Sequence, residues 1–75
     1  MTVQEVAERA DMIVAGWAYT LQDGSIEVVD LNDLSKRAVI QHDDVVESLM
    51  SDEEDDMVLR YYHRNKEFLE DIHSA

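Results

Sequence analysis

The dipeptide Asp23-Gly24 constrains the fold most, because the chain contains only two glycines and no proline. Asp-Gly suits the positive φ angles of a tight type I′ hairpin turn. Apolar and polar residues alternate on both sides of it, as they do in half-buried strands. The alternating apolar positions are Trp17, Tyr19 and Leu21 before the turn and Ile26 and Val28 after it. The dipeptide therefore predicts an antiparallel hairpin whose second strand ends near Leu31.

The N-terminal segment predicts a short helix. Thr2 and Glu5 have the spacing of a capping box, and the helix is expected to run to about Asp11. Apolar residues at three- and four-residue spacing also fit one long helix that includes residues 12–21. Gly16 would cost such a helix about 1 kcal/mol, and the Asp-Gly turn needs two strands to join. These two points favour a short helix followed by strands.

The centre of the chain predicts one more strand and one more helix. Residues 32–35 are mostly polar and are expected to form a connection. Residues 37–41 contain consecutive apolar side chains and predict a third strand. Asp43 or Asp44 is then expected to cap a short helix over residues 45–50.

The C-terminal segment predicts a long amphipathic helix. Ser51 and Glu54 form a second capping box at its start. Its apolar stripe consists of Met57, Val58, Tyr61, Tyr62, Phe68, Leu69 and Ile72. All five aromatic residues of the chain are predicted to pack in the core. The predicted order is α-β-β-β-α-α, a three-stranded antiparallel meander packed against helices on one face, in a small α+β domain that spans residues 1–75.

Acidic residues dominate the charge of the chain. Eighteen Asp and Glu stand against six Lys and Arg, which gives a formal net charge of −12. Residues 43–56 contain eight acids and no Lys or Arg, namely Asp43, Asp44, Glu47, Asp52, Glu53, Glu54, Asp55 and Asp56. The helix dipole stabilises acids in a first turn by about 0.3–1 kcal/mol each, but five consecutive acids also repel one another. This excess predicts that the eight residues bind a basic partner.

The spacing of these acids resembles that of phosphates in nucleic acid. A helix of 14 residues would be about 21 Å long and would carry one charge per roughly 2.6 Å. Duplex DNA carries one charge per about 1.7 Å, or about 3.4 Å per strand. In size, acidity and predicted element order, the chain resembles small phage-encoded inhibitors that occupy nucleic-acid sites, such as anti-CRISPR and anti-restriction proteins. The resemblance is one of class, and no motif carries it.

Two functions follow as expectations. The first is a non-enzymatic protein that docks on the basic nucleic-acid-binding groove of a nuclease or related complex and inhibits it. The alternative is a small structural or regulatory subunit, such as a homodimer with an apolar interface, whose acidity serves only solubility. High salt should weaken the first type of complex and spare the second.

Other functional classes find little support in the sequence. The chain has no cysteine, no Gly-x-Ser-x-Gly motif and no phosphate-binding glycine loop, so we expect no enzyme activity and no cofactor. The His63–Glu67 and Glu70–His73 pairs fall short of the three or four ligands of a zinc site. The net charge opposes direct binding to nucleic acid. No secretory signal or membrane-length apolar stretch occurs, so we expect a cytoplasmic protein.

Overall fold

The fold consists of one antiparallel sheet and two helices. The computed structural model describes the backbone of residues 2–74 and the side chains of residues 2–69. The elements are α1 (Val3–Arg9), β1 (Met12–Val14), β2 (Trp17–Gln22), β3 (Ser25–Asp30), β4 (Asp33–Gln41), β5 (Asp44–Ser48) and α2 (Asp52–Ser74). The strands follow one another across the sheet in the order β1-β2-β3-β4-β5. The predicted α+β class is confirmed, but the meander has five strands where three were predicted.

The N-terminal third confirms the capping box and excludes the long helix. The Thr2 hydroxyl accepts the backbone N–H of Glu5 at 3.1 Å, and the Glu5 carboxylate accepts the N–H of Thr2 at 3.2 Å. α1 ends two residues earlier than predicted, and β1 and β2 follow it. Ala15 and Gly16 form the turn between these strands, with φ angles of 54° and 82°. The sequence does not signal this turn, because alanine rarely adopts a left-handed conformation.

The predicted hairpin at Asp23 and Gly24 is confirmed, although its turn type differs. Gln22 pairs with Ser25 across the turn. Gly24 has a φ angle of 74°, whereas the φ angle of Asp23 is not positive. A type I′ turn needs positive φ at both central residues, and a type II turn needs it only at the second. The hairpin therefore has the φ pattern of a type II turn.

The short helix predicted over residues 45–50 is wrong, because Asp44–Ser48 form strand β5. His42 and Asp43 join β4 to β5 in a tight turn, with φ angles of 53° and 64°. Asp and His are among the residues that tolerate this conformation, but in the sequence Asp43 resembles a helix cap. The β-branched Val45 and Val46 that follow it suit a strand better than a helix.

The third predicted strand exists and is longer than expected. β4 covers Asp33–Gln41, whereas the sequence predicted residues 37–41. It therefore includes most of the polar connection predicted over residues 32–35. Polar residues can occupy these strand positions because one side of the strand stays exposed there.

The two helices cover opposite faces of the sheet, whereas the sequence predicted both on one face. α2 covers the face with the larger core, formed by Met12, Trp17, Tyr19, Ile26, Val28, Ala38, Ile40, Val58, Tyr62 and Leu69. α1 packs Val6 against Ala18 and Val29 on the other face. Successive strand residues point to opposite faces, and β2 and β3 carry apolar residues at consecutive positions. These strands can therefore bury side chains on both faces.

Candidate functional site

The eight predicted partner-binding acids lie on three elements that meet at one edge of the sheet. Asp43 is in the β4–β5 turn, Asp44 and Glu47 are on β5, and the five residues 52–56 begin α2. β5 is an edge strand. The Ser48 hydroxyl at its end donates to the Asp55 carboxylate at 2.5 Å and so ties β5 to the first turn of α2.

The acids do not form the linear row that the sequence suggested. Residues 43–56 comprise a turn residue, a strand, a short connection and the first residues of a helix. The spacing of one charge per roughly 2.6 Å assumed a continuous helix. A strand rises about 3.3 Å per residue and turns alternate side chains to opposite faces. The comparison with phosphate spacing therefore fails, and the acids form a cluster around the β5 edge.

Asp43 connects two elements of the fold through its carboxylate. Its carboxylate accepts hydrogen bonds from Lys66 Nζ at 2.8 Å and from the Tyr62 hydroxyl at 2.7 Å. The hydrogen bond from Lys66, followed by that from Tyr62, holds the pKa of Asp43 below its usual value. Asp43 thus fastens the β4–β5 turn to α2.

Glu54 also serves the fold, as the second residue of the predicted capping box. Its carboxylate accepts the N–H of Ser51 at 3.2 Å, and the Ser51 hydroxyl accepts the N–H of Glu54 at 3.2 Å. The hydrogen bond from the Ser51 backbone, followed by that which the Ser51 hydroxyl donates at 3.0 Å, lowers the pKa of Glu54. Lys36 Nζ lies 3.4 Å from the same carboxylate. The second capping box is therefore confirmed.

Two more acids have partners within the chain. Asp55 accepts the Ser48 hydroxyl, as described above. Asp56 pairs with Arg60 one turn later on α2, at 3.2 Å between Oδ2 and the guanidinium. This pair is largely exposed, so we expect it to contribute little to stability.

The other four acids, Asp44, Glu47, Asp52 and Glu53, form the exposed acidic group. All four are exposed, and none makes an ion pair with any residue whose side chain is described. Asp44 makes only a local bond, from the N–H of Val45 to its Oδ1 at 2.9 Å. The structure therefore divides the eight predicted residues into four whose carboxylates contact other side chains of the chain and four that contact no other described side chain.

Two exposed apolar side chains lie among these acids. Val46 is 51% exposed and Leu49 is 73% exposed. Val46 is the extra residue of a β-bulge, since Val39 pairs with Glu47 while Ile40 pairs with Val45. The sequence assigned Leu49 to the apolar side of a helix and so gave no sign of its exposure.

An open depression of about 540 Å³ lies beside Leu49 on the face opposite α2. Its lining includes Val39, Glu27, Arg37 and Glu47.

The profile of a family described as a family of unknown function, DUF7723, matches residues 1–69 of the chain. The chain belongs to the DUF7723 family. No curated protein and no solved structure matches it.

In this DUF7723 chain, two members of the exposed acidic group also have a use within the fold. β5 is an edge strand, and charges and bulges on edge strands hinder pairing with another chain. This use accounts for Asp44 and Glu47. It does not account for Asp52 and Glu53, which lie on α2.

The described part of the DUF7723 chain contains neither a candidate metal site nor a candidate membrane span. Among side chains 2–69, no three His, Asp or Glu residues are placed to hold a metal ion together. His63 lies against the Tyr62 ring, with centroids 5.2 Å apart. Glu70 and His73 fall beyond the described side chains. Between residues 2 and 74, no helix has the length and hydrophobicity needed to cross a membrane.

Proposed function

We propose that this DUF7723 protein is a non-enzymatic protein-binding domain that docks its exposed acidic group onto a basic protein surface. One observation carries the proposal. Within a 14-residue segment that contains no Lys or Arg, four exposed acids make no ion pair with the described side chains. The other acids of the segment contact side chains of their own chain, whereas the carboxylates of these four contact no other described side chain.

Electrostatic attraction and apolar contacts would act together in this complex. The negative potential around the β5 edge would steer a basic surface toward it and raise the association rate. Val46 and Leu49, exposed among the acids, would be buried at the centre of the contact. Buried apolar anchors surrounded by charged residues are the usual anatomy of a protein interface.

The most concrete form of the proposal is a nucleic-acid-mimicking inhibitor of the anti-CRISPR or anti-restriction type. A basic groove that binds DNA or RNA attracts a dense negative surface for the same electrostatic reason. The protein would occupy that groove and exclude the nucleic acid. Support for this form comes from the net charge of −12 and from the exposure of the acids.

A matched pair of variants tests the proposal. Asp52→Asn/Glu53→Gln neutralises two members of the exposed acidic group, and Glu8→Gln/Asp23→Asn removes the same charge from two exposed residues elsewhere. Each tagged protein is used to capture partners from host lysate at about 0.1 M and about 1 M salt, where the Debye length falls from about 10 Å to about 3 Å. Captured proteins are then challenged with excess duplex DNA.

We expect the wild type and the Glu8/Asp23 variant to capture a basic nucleic-acid-binding protein at low salt only. We expect the Asp52/Glu53 variant to capture much less of this protein. We expect duplex DNA to displace the captured protein from the wild type. Capture that persists at high salt, or that is equal for both variants, would contradict the proposed function. If capture is salt-sensitive but duplex DNA does not displace the captured protein, only the nucleic-acid-mimicking form of the proposal is rejected.

A further inference from the structure

One side of α2 exposes large side chains that the sequence assigned to the core. Phe68 is 53% exposed and Met57 is 42% exposed. Together with the half-buried Tyr61 and the exposed Arg64, they occupy positions 57, 61, 64 and 68. This spacing of four, three and four is that of a helix seam that packs against another helix. We call these four residues the α2 seam.

The α2 seam lies beside the side of α2 that packs into the core of the domain. Val58, Tyr62 and Leu69 direct α2 into its own sheet and are almost fully buried. The Tyr61 ring meets the buried Trp17 edge-on, with centroids 6.0 Å apart, so one side of it is already packed. Within the described side chains, nothing covers Met57 or Phe68 to a comparable extent.

The α2 seam complements itself when two copies run antiparallel. A twofold axis that brings Met57 of one copy opposite Phe68 of the other also brings Tyr61 opposite Arg64. Thioether sulfur and aromatic rings attract each other, and so do guanidinium groups and tyrosine rings. Arg64 already lies 5.7 Å from the centroid of Tyr61 in its own chain. A parallel pair would instead place two Arg64 side chains together.

Charges beside the seam favour the same arrangement. Arg60 and Glu67 directly precede Tyr61 and Phe68 and lie on the solvent side of the seam. The antiparallel axis brings Arg60 of each copy within about one helical turn of Glu67 of the other. Glu67 makes no ion pair with any described side chain, and Arg60 is exposed in its pair with Asp56. Two symmetric ion pairs can therefore border the contact.

We propose that a second copy of this chain docks on the α2 seam and forms an antiparallel homodimer about an axis between Tyr61 and Arg64. The inference stands independently of the proposed function. Each protomer carries a net charge of −12, so the two copies repel each other. Salt screens this repulsion, and the dimer therefore strengthens with salt, whereas the complex with a basic partner weakens.

Charged substitutions at the two ends of the seam test the proposal, with dimerisation measured by sedimentation equilibrium. The wild type is expected to dimerise, more tightly at about 1 M than at about 0.1 M salt. Met57→Lys and Phe68→Glu should each weaken the dimer at least about tenfold. A mixture of the two should restore it, because the introduced lysine and glutamate then face each other at one end while the other end keeps its native contact. The double variant Met57→Lys/Phe68→Glu should dimerise by itself.

Leu49→Glu is the control, because Leu49 is the most exposed large apolar residue among side chains 2–69 and lies outside the seam. It should leave the dimer unchanged. Circular dichroism checks that every variant folds, which we expect because all three altered positions are exposed. A monomeric wild type overturns the proposal. Dimers of both single variants as tight as the wild type also overturn it. The same holds if the mixture of the two variants stays monomeric, or if Leu49→Glu dissociates the dimer.

Discussion

Tyr19 shows how one hydrogen bond fixes a helix on a sheet. Its side chain is fully buried, and its hydroxyl donates to the backbone carbonyl of Val58 at 2.9 Å. Burial raises the pKa of Tyr19 far above its usual value, so the hydroxyl keeps its proton and remains a donor. This bond joins the centre of β2 to α2.

Removal of this hydroxyl should destabilise the domain without leaving a large cavity. We expect Tyr19→Phe to lower the free energy of unfolding in urea by about 1–2 kcal/mol, because a buried hydrogen bond is lost. Tyr61→Phe is the control, since its hydroxyl makes no hydrogen bond to a described residue. Equal unfolding midpoints for the two variants would show that the bond to Val58 adds nothing.

Asp43 should make stability depend on acid pH. Its pKa is lowered in the folded state by Lys66 and Tyr62, so its contribution is present above the unfolded pKa of about 3.9 and is lost as pH falls through the folded pKa. The difference in unfolding free energy between wild type and Asp43→Asn should be constant above about pH 5 and shrink below about pH 4. Thermal or urea unfolding across this range measures it. A difference that grows in acid would refute the assignment.

At the scale of elements, tight turns decide the strand count. The sequence signalled the one turn that contains Asp-Gly, and the hairpin around it was predicted correctly. Of the other three turns, those at residues 15–16 and 42–43 place Ala15, His42 and Asp43 in left-handed conformations, and neither contains an Asn-Gly or Asp-Gly pair. The sequence therefore did not predict β1, and it predicted a helix where β5 forms. Both capping boxes were predicted correctly, because a cap depends on residues within one turn of each other.

The Ala15–Gly16 turn should respond in opposite directions to two substitutions. Ala15→Asn places a residue that tolerates positive φ in the turn, and we expect it to stabilise the domain by up to about 1 kcal/mol. Gly16→Ala should destabilise it by about 1–2 kcal/mol, because its φ is 82° and an added Cβ would lie 3.2 Å from Asn32 Nδ2. Melting temperatures measure both. The assigned turn would be wrong if the two variants shifted the melting temperature in the same direction.

At the scale of the whole molecule, composition located the acidic segment but could not separate its members. The sequence shows eight acids and no cation between residues 43 and 56. It cannot show that Lys66 reaches Asp43 from 23 residues away or that Ser48 reaches Asp55 across a loop. It also assigned Phe68 to the core, because periodicity alone cannot distinguish the buried side of α2 from its seam. These distinctions depend on tertiary contacts.

The division of the acids also changes which residues a binding experiment should alter. Substitution of Glu54 or Asp55 would disturb a helix cap or the tie to β5, and loss of binding could then reflect lost structure. Asp52 and Glu53 have no such contacts among the described side chains. The variant Asp52→Asn/Glu53→Gln therefore removes charge without breaking a contact to a described side chain, and Glu8→Gln/Asp23→Asn matches its change in net charge.

The most direct test of the central claim is the salt dependence of affinity for the basic protein captured at low salt. Binding of the purified partner is measured for the wild type and both double variants between about 0.1 M and about 1 M salt. We predict that affinity falls steeply with salt, and that only Asp52→Asn/Glu53→Gln lowers both the affinity and its dependence on salt. An affinity that is insensitive to salt, or equal effects of the two variants, would contradict the claim.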